Sequence, residues 1–395
     1  MPPVAETEAS FATPPAGALW RAEPFRLFFP LGVLLGWVGV GHWLLYALGL
    51  AATYSCQFHG LVQVESFLMA FATGFLMTAL PRRTQTAAPS AVEMVVAAAA
   101  LVATTGAAAF ERWALAEAAY ATLFLLLLGF AVRRFVGRAA RRRPPAAFVM
   151  IPIGALAGLA GAALVAASTW PRVPAWTMGL GRLFVEQGVF LCWTLGVGSL
   201  VLPLMAGTPP PPDLGSTPRE TVKALAYAAA GAAILATLVA EKAGSAHAAP
   251  LVRALVVAVG LAAGGGAWRA PGKPGLHRRL AWLAVWCIPL GLAAAGLFPS
   301  YRVPALHILF VGGFGLLVFA VATHVALGHL GLEHLGFGSP LAVRVLGTAV
   351  LLAMVARVAA DWSTTYFAHL GSASALWLAG TAVWLAFIGP KLLGR

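Results

Sequence analysis

The run PALHILFVGGFGLLVFAVATHVAL, residues 304–327, holds 24 consecutive residues without an Asp, Glu, Lys or Arg. An α-helix rises about 1.5 Å per residue, so about 20 apolar residues cross the hydrocarbon core of a bilayer. The run therefore predicts a membrane-spanning helix.

Similar apolar runs recur along the whole chain of 395 residues. They lie at 27–49, 60–80, 91–109, 114–132, 147–168, 180–205, 221–240, 249–268, 280–298, 304–327, 340–359 and 370–390. The composition is 60% hydrophobic and 10% charged, with a mean hydropathy of +0.85, whereas soluble domains carry about 25% charged residues. We predict an all-α, polytopic membrane bundle of about twelve transmembrane helices, with membrane lipid around it.

The positive residues are distributed unevenly between alternate loops. With the N-terminus in the cytoplasm, 19 of the 26 Lys and Arg residues fall on the cytoplasmic side, six of them between Arg133 and Arg143. This asymmetry predicts that both termini are cytoplasmic. The net charge of +13 lies in these short loops and not on a basic face interleaved with aromatic residues, so no nucleic-acid partner is expected.

The chain divides at a proline-rich segment. Residues 208–219 include four consecutive prolines and predict a cytoplasmic linker that cannot be helical. It separates six helices in 25–207 from six in 220–395, after an N-terminal tail, 1–24, that we expect to be disordered. A six-plus-six layout is typical of secondary transporters, so transport of a small solute, a metal or haem is an alternative function.

Four histidines lie at similar depth near the predicted outer ends of four different runs: His42, His59, His307 and His369. Neutral imidazole is a common metal ligand, and haem b in helical bundles is held by histidines on facing helices. Transport gives no reason for four histidines at one depth. The set therefore favours a haem b site with these four residues as candidate ligands.

Other polar residues in the runs are further candidates, because ionisable groups are costly within a membrane. Glu65 lies six residues after His59, about 9 Å deeper and on another face of the helix. It is a candidate proton carrier, or alternatively a buried, hydrogen-bonded acid. Arg182 and Glu186 have the i, i+4 spacing of an ion pair. The residues alone name no catalytic group.

Glycine spacing predicts where helices approach closely. Gly32, Gly36 and Gly39 share one face of the first run, as in helix pairs that pack tightly in lipid. Gly312, Gly313 and Gly315 lie within one turn of the tenth run, where we expect them to leave room for a flat cofactor.

Two stretches resemble the NnrS family. Residues 59–82, HGLVQVESFLMAFATGFLMTALPR, are similar to the second span of that family, where a histidine-rich start runs into GFLLTAxP. Residues 307–329, HILFVGGFGLLVFAVATHVALGH, are similar to its HxxxVGxxG…TxxxLGH segment. Both stretches have the order, spacing and helix positions of the family pattern.

The resemblance implies a twelve-span protein of the bacterial inner membrane that contains haem and copper and is associated with denitrification and nitric-oxide stress. It implies metal ligation by His59, His307 and His329, and a small gaseous ligand. Whether the haem reacts with nitric oxide, as in an oxidoreductase, or senses it stays open, as do protein partners.

Two positions depart from the family pattern. The family motif HxHE is His59-Gly60-Leu61-Val62 in this chain, without the second imidazole and the acid, and His324 stands where the family commonly has arginine. These differences argue against copper binding more than against haem binding.

Overall fold

The structure is a computed structural model that describes residues 16–135 and 143–394. Those ranges are helical, and their only β-type pairing is an isolated bridge between Pro145 and Asp213. Twelve helices in them are long and apolar enough to cross a membrane. They are α1 Phe25–Ala47, α2 Cys56–Thr84, α3 Ala91–Ala109, α4 Trp113–Phe135, α5 Ala146–Ala167, α6 Trp176–Ala206, α7 Pro218–Lys242, α8 Ala248–Gly265, α9 Leu276–Leu297, α10 Pro299–His329, α11 Leu341–Trp362 and α12 Tyr366–Leu392. The predicted all-α, polytopic membrane bundle is confirmed.

Part of the segment 1–24, which the sequence predicts to be disordered, is helical in the structure. Ala16–Ala22 form a helix, and the buried carboxylate of Glu23 accepts a hydrogen bond from Arg26 at 2.6 Å. The composition of this segment, which is rich in Pro and Ala, does not predict this local ion pair. Residues 1–15 of the predicted tail lie outside the described residues. The same holds for three arginines of the predicted cytoplasmic loop, Arg138, Arg141 and Arg142.

Helices from both sides of the proline-rich linker pack into one bundle. Trp37 on α1 donates a hydrogen bond of 2.8 Å to Thr381 on α12, and Trp384 on α12 donates one of 2.8 Å to Thr323 on α10. The helix after the linker begins at Pro218, a residue suited to the first helical turn because it lacks an N–H group.

Helices α2, α6 and α10 are the three longest spans, with 29, 31 and 31 residues, and they are among the most buried. Each contains a π-helical segment close to its N-terminal end, at Val62–Leu68, Phe184–Val189 and Ile308–Gly315. Segments of this kind widen a helix locally and are frequent at functional sites. The π-helical segment thus recurs at every fourth span, and all three segments lie at the same end of the bundle.

Close packing through the glycines of α1 is confirmed. A Cβ atom at Gly32 would lie 2.8 Å from the ring of Phe71, and one at Gly36 would lie 2.8 Å from the ring of Trp377. The missing side chains therefore let the aromatic residues of α2 and α12 approach the α1 backbone.

The expected space beside Gly312 and Gly313 is not found, so the prediction is wrong for these two glycines. A Cβ atom at Gly313 would lie 2.7 Å from Ile288 Cγ1 of α9, and one at Gly312 would overlap Met354 Sδ of α11. Both glycines serve helix packing, because the rotation of α10 turns them away from its open side. Gly315 differs, since it lines the cavity described below.

Candidate functional site

A cavity of about 360 Å³ lies at the end of the bundle where α2, α6 and α10 begin. Apolar side chains such as Phe67, Phe310 and Trp377 form much of its wall, and His59 and His307 contribute imidazoles. Small-molecule and cofactor sites have volumes of about 300–1,000 Å³ and this mixture of apolar walls with few polar groups. The cavity is the candidate functional site.

His59 on α2 and His307 on α10 lie next to each other in the wall of this site. Their ring centroids are 6.5 Å apart and their planes differ by 7°. His59 Nδ1 lies 2.9 Å from the carbonyl oxygen of Gly39, and His307 Nδ1 lies 2.8 Å from that of Val303. Because a carbonyl only accepts hydrogen bonds, each ring carries a proton on Nδ1 and keeps the Nε2 lone pair for a ligand.

The local sequence explains the position of His59. Ser55 caps the start of α2 by accepting a hydrogen bond of 3.1 Å from the Phe58 N–H group. On α1, a Cβ atom at Gly39 would lie 3.0 Å from Val62 Cγ1. Glycine at this position therefore lets the α1 backbone come close enough for its carbonyl to orient the imidazole.

The described residues fit haem better than a bare metal ion. No group of three His, Cys, Asp or Glu residues that could hold a metal occurs within residues 16–135 and 143–394. Haem needs only two axial ligands, because its macrocycle supplies the other four nitrogens. Imidazole nitrogens bind metals at about 2 Å, so two imidazoles on opposite sides of one metal have ring centres roughly 6 Å apart. The separation of His59 and His307 is of this size.

Three arginines line the same cavity, and each is held by a carboxylate. The ion pairs are Arg182–Glu186 at 2.7 Å, Arg302–Glu241 at 2.6 Å and Arg357–Asp361 at 2.6 Å. The first is the predicted i, i+4 pair, which is confirmed. Arg357 lies close enough to act electrostatically on both His59 and His307. The cavity thus combines apolar walls with three arginines that are each paired with a carboxylate.

Two other predicted ligands, His42 and His369, do not line the cavity. The His42 ring lies 6.1 Å from the ring of His59, and neither of its nitrogens makes a hydrogen bond of ordinary geometry, although the backbone of Gly39 and Ser55 is close. His369 has the right depth, but the cavity-lining residues of α12 are on another face of that helix.

His329 is at the other end of α10 from His307. The two are 22 residues apart, so about 33 Å of helix rise separates them, and His329 is hydrogen-bonded to Arg82 and packs 5.5 Å from the Phe25 ring. The structure therefore does not bring His59, His307 and His329 together as one metal site. Also at that end, His324 stacks on His277 of α9, with ring centroids 5.6 Å apart.

Glu65 is buried on α2, as predicted for an acid inside a span, and its neighbours come from α4. The carboxyl group of Glu117 and the hydroxyl group of Tyr120 lie close to it. The sequence carried a signal for Glu117, because it is an acid within an apolar run. The contact between the two acids depends on helix rotation, which the run does not reveal.

The NnrS family model, described as NnrS protein, matches residues 19–395, nearly the entire chain. No curated protein matches the chain. The match includes both halves of the bundle, the three π-containing helices and the cavity between them. The chain therefore belongs to the NnrS family.

Proposed function

We propose that this protein binds haem b with His59 and His307 as axial ligands, and that it handles or senses nitric oxide or a related nitrogen oxide. The observation that carries the haem assignment is the geometry of the two imidazoles, which are nearly parallel and 6.5 Å apart. The predicted location is the bacterial inner membrane, with the site at the outer end.

The chain's own groups prepare the two ligands. The carbonyl oxygens of Gly39 and Val303 accept the Nδ1–H hydrogen bonds, which fixes the tautomer and the orientation of each ring and raises its strength as a ligand. Haem would supply one-electron chemistry and an iron atom able to bind small gases.

The arginines suit the two carboxylates that haem carries. Arg302 and Arg357 each use one guanidinium nitrogen in an ion pair at 2.6 Å, and a guanidinium group has several further N–H groups. Charge-assisted bonds to carboxylates are among the stronger hydrogen bonds in proteins. We assign these two residues to the propionate end of the haem.

A second pocket, which is apolar, supports the proposal that the ligand is small and uncharged. It has a volume of about 110 Å³ and is lined by side chains such as Phe71, Phe190 and Leu317. Phe71 follows the cavity-lining residue Phe67 by one turn of α2, so the pocket adjoins the proposed haem site. A gas dissolved in lipid needs only such apolar space to approach.

The choice of a nitrogen oxide as the gas rests wholly on the family resemblance. If haem were held by both His59 and His307, its iron would have no free position for a gas. This favours sensing or electron transfer over turnover.

The test is anaerobic addition of nitric oxide to reduced, purified protein, combined with growth of a deletion strain under nitric-oxide release. We expect a changed haem spectrum and impaired growth. A spectrum that does not respond, together with normal growth, would reject the nitric-oxide role. Protein that is colourless after expression with ample haem would reject haem binding and favour the transporter alternative.

A further inference from the structure

Glu65 and Glu117 lie side by side inside the bundle, outside the cavity of the candidate functional site. Each residue is only 1% exposed. All four carboxyl oxygens lack a hydrogen-bond partner of ordinary geometry, yet the two side chains are close enough to share a hydrogen bond. Two adjacent carboxylates in a dry interior cannot both keep a negative charge.

Tyr120, one turn after Glu117 on α4, belongs to the same group. Its side chain is fully buried, its hydroxyl oxygen has no hydrogen-bond partner, and it is near both acids. Buried polar atoms without partners are rare, because each costs the free energy of its lost hydration. Five such atoms lie together in this group, and two carboxyl groups beside a phenol can bind a proton.

Other charged groups near the pair come from α6. Glu186 and Arg182 both act on Glu65 electrostatically, and both line the cavity. The remaining neighbours of this part of α2 are α1 and α3, whose acidic and basic residues are at the opposite end of the bundle. These are Arg26, paired with Glu23, and Glu93, paired with Arg133.

Gly60 explains why the Arg182–Glu186 ion pair lies against the start of α2. A Cβ atom at Gly60 would be 2.9 Å from an Arg182 guanidinium nitrogen and 3.1 Å from Glu186 Oε1. The absent side chain thus allows Glu186, which lines the cavity, to lie against the helix that carries Glu65.

We propose that Glu65, Glu117 and Tyr120 form a proton-binding site, in which the two carboxyl groups hold one shared proton and exchange it with the cavity by way of Glu186. The step moves only a proton. An O–H bond on the acid pair breaks while one forms on Glu186 or on water in the cavity, and no electron is transferred. The site needs no haem, so it stands independently of the proposed function.

Infrared spectroscopy of the purified protein in lipid tests this directly. We expect a carbonyl band of a protonated carboxyl group that shifts in D2O, changes frequency in both Glu65→Gln and Glu117→Gln, and is lost when both acids are replaced. The matched control is Glu93→Gln, which removes an ion-paired carboxylate and should leave the band in place.

Three results would overturn the proposal. They are absence of the band from the wild-type protein, a band of unchanged frequency in both glutamine variants, and a band that does not shift in D2O. Loss of the wild-type band on addition of sodium or potassium ions would instead identify a metal-cation site. If one glutamine variant does not fold, the other variant and the D2O measurement still decide the question.

Discussion

The imidazole rings of His59 and His307 lie within 7° of parallel and 6.5 Å apart, although the residues stand on opposite sides of the proline-rich linker. Each ring donates its Nδ1–H group to a backbone carbonyl, so the second nitrogen of each is free to bind a metal. Residues from both halves of the sequence therefore form one site, in which each imidazole has a nitrogen available to bind a metal.

The approach of α1 to α2 is predicted to control the orientation of His59. Gly39→Ala would place a Cβ atom 3.0 Å from Val62 Cγ1 and against the side chain of Gln63. We expect a loss of about 1–3 kcal/mol in stability, as for other overpacked sites, and less bound haem per protein. Thermal unfolding and haem content measure the two effects.

The matched control is Gly41→Ala on the same helix, where a Cβ atom would meet nothing within 4 Å. It should be neutral or slightly stabilising, because alanine favours helix by about 1 kcal/mol over glycine. Equal haem loss in both variants would show that the Gly39 contact has no special role.

Arg357 is predicted to hold a haem carboxylate. Arg357→Gln removes a charged donor near both histidines, and a hydrogen bond to a charged group contributes about 1.5–3 kcal/mol. We expect haem affinity to fall about tenfold or more in a titration of haem-free protein.

Asp361→Asn separates this effect from loss of the Arg357–Asp361 ion pair. It breaks the same pair while keeping the arginine, so its haem affinity should stay near that of the wild type. An Arg357→Gln variant that binds haem as tightly as Asp361→Asn would contradict the assignment.

Copper is predicted to be absent or weakly held, because residues 16–135 and 143–394 contain no three-ligand cluster for it. Elemental analysis of purified protein should find iron without stoichiometric copper, and chelator treatment should not change the haem spectrum. His329→Ala should keep the wild-type haem content, since about 33 Å of helix separates His329 from His307. Stoichiometric copper that disappears in His329→Ala would contradict this prediction and support the metal ligation by His329 that the family resemblance implies.

The topology is predicted to place the loop that ends at Arg143 in the cytoplasm, because six arginines lie between Arg133 and Arg143 at this end of α4. A reporter that is active only in the periplasm should be inactive when fused after Arg143. Activity of this fusion would reverse the orientation and move the cavity to the cytoplasmic end.

The twelve helices could be predicted from the sequence because lipid forces each spanning segment to satisfy its own backbone hydrogen bonds, which leaves a long apolar run as the signal. Depth in the membrane also follows from the runs, and His59 and His307 do lie at one level. Helix rotation does not follow from them. His369 has the right depth but lies outside the cavity wall, and Gly313 packs against α9.

Contacts between helices that are distant in the sequence could not be predicted either. Glu65 and Glu117 become neighbours only when α2 packs beside α4, and the arginines of the cavity come from α6, α10 and α11. No local pattern records these pairings, because each depends on how separate spans assemble.

The central claim is that His59 and His307 are the axial ligands of one haem. The most direct measurement is the absorption spectrum of purified His59→Ala and His307→Ala, with His369→Ala as a control from the same end of the bundle. The account predicts that the Soret band of the wild type is lost or shifted in the first two variants and kept in the third. Wild-type haem content and unchanged spectra in both His59→Ala and His307→Ala would contradict it.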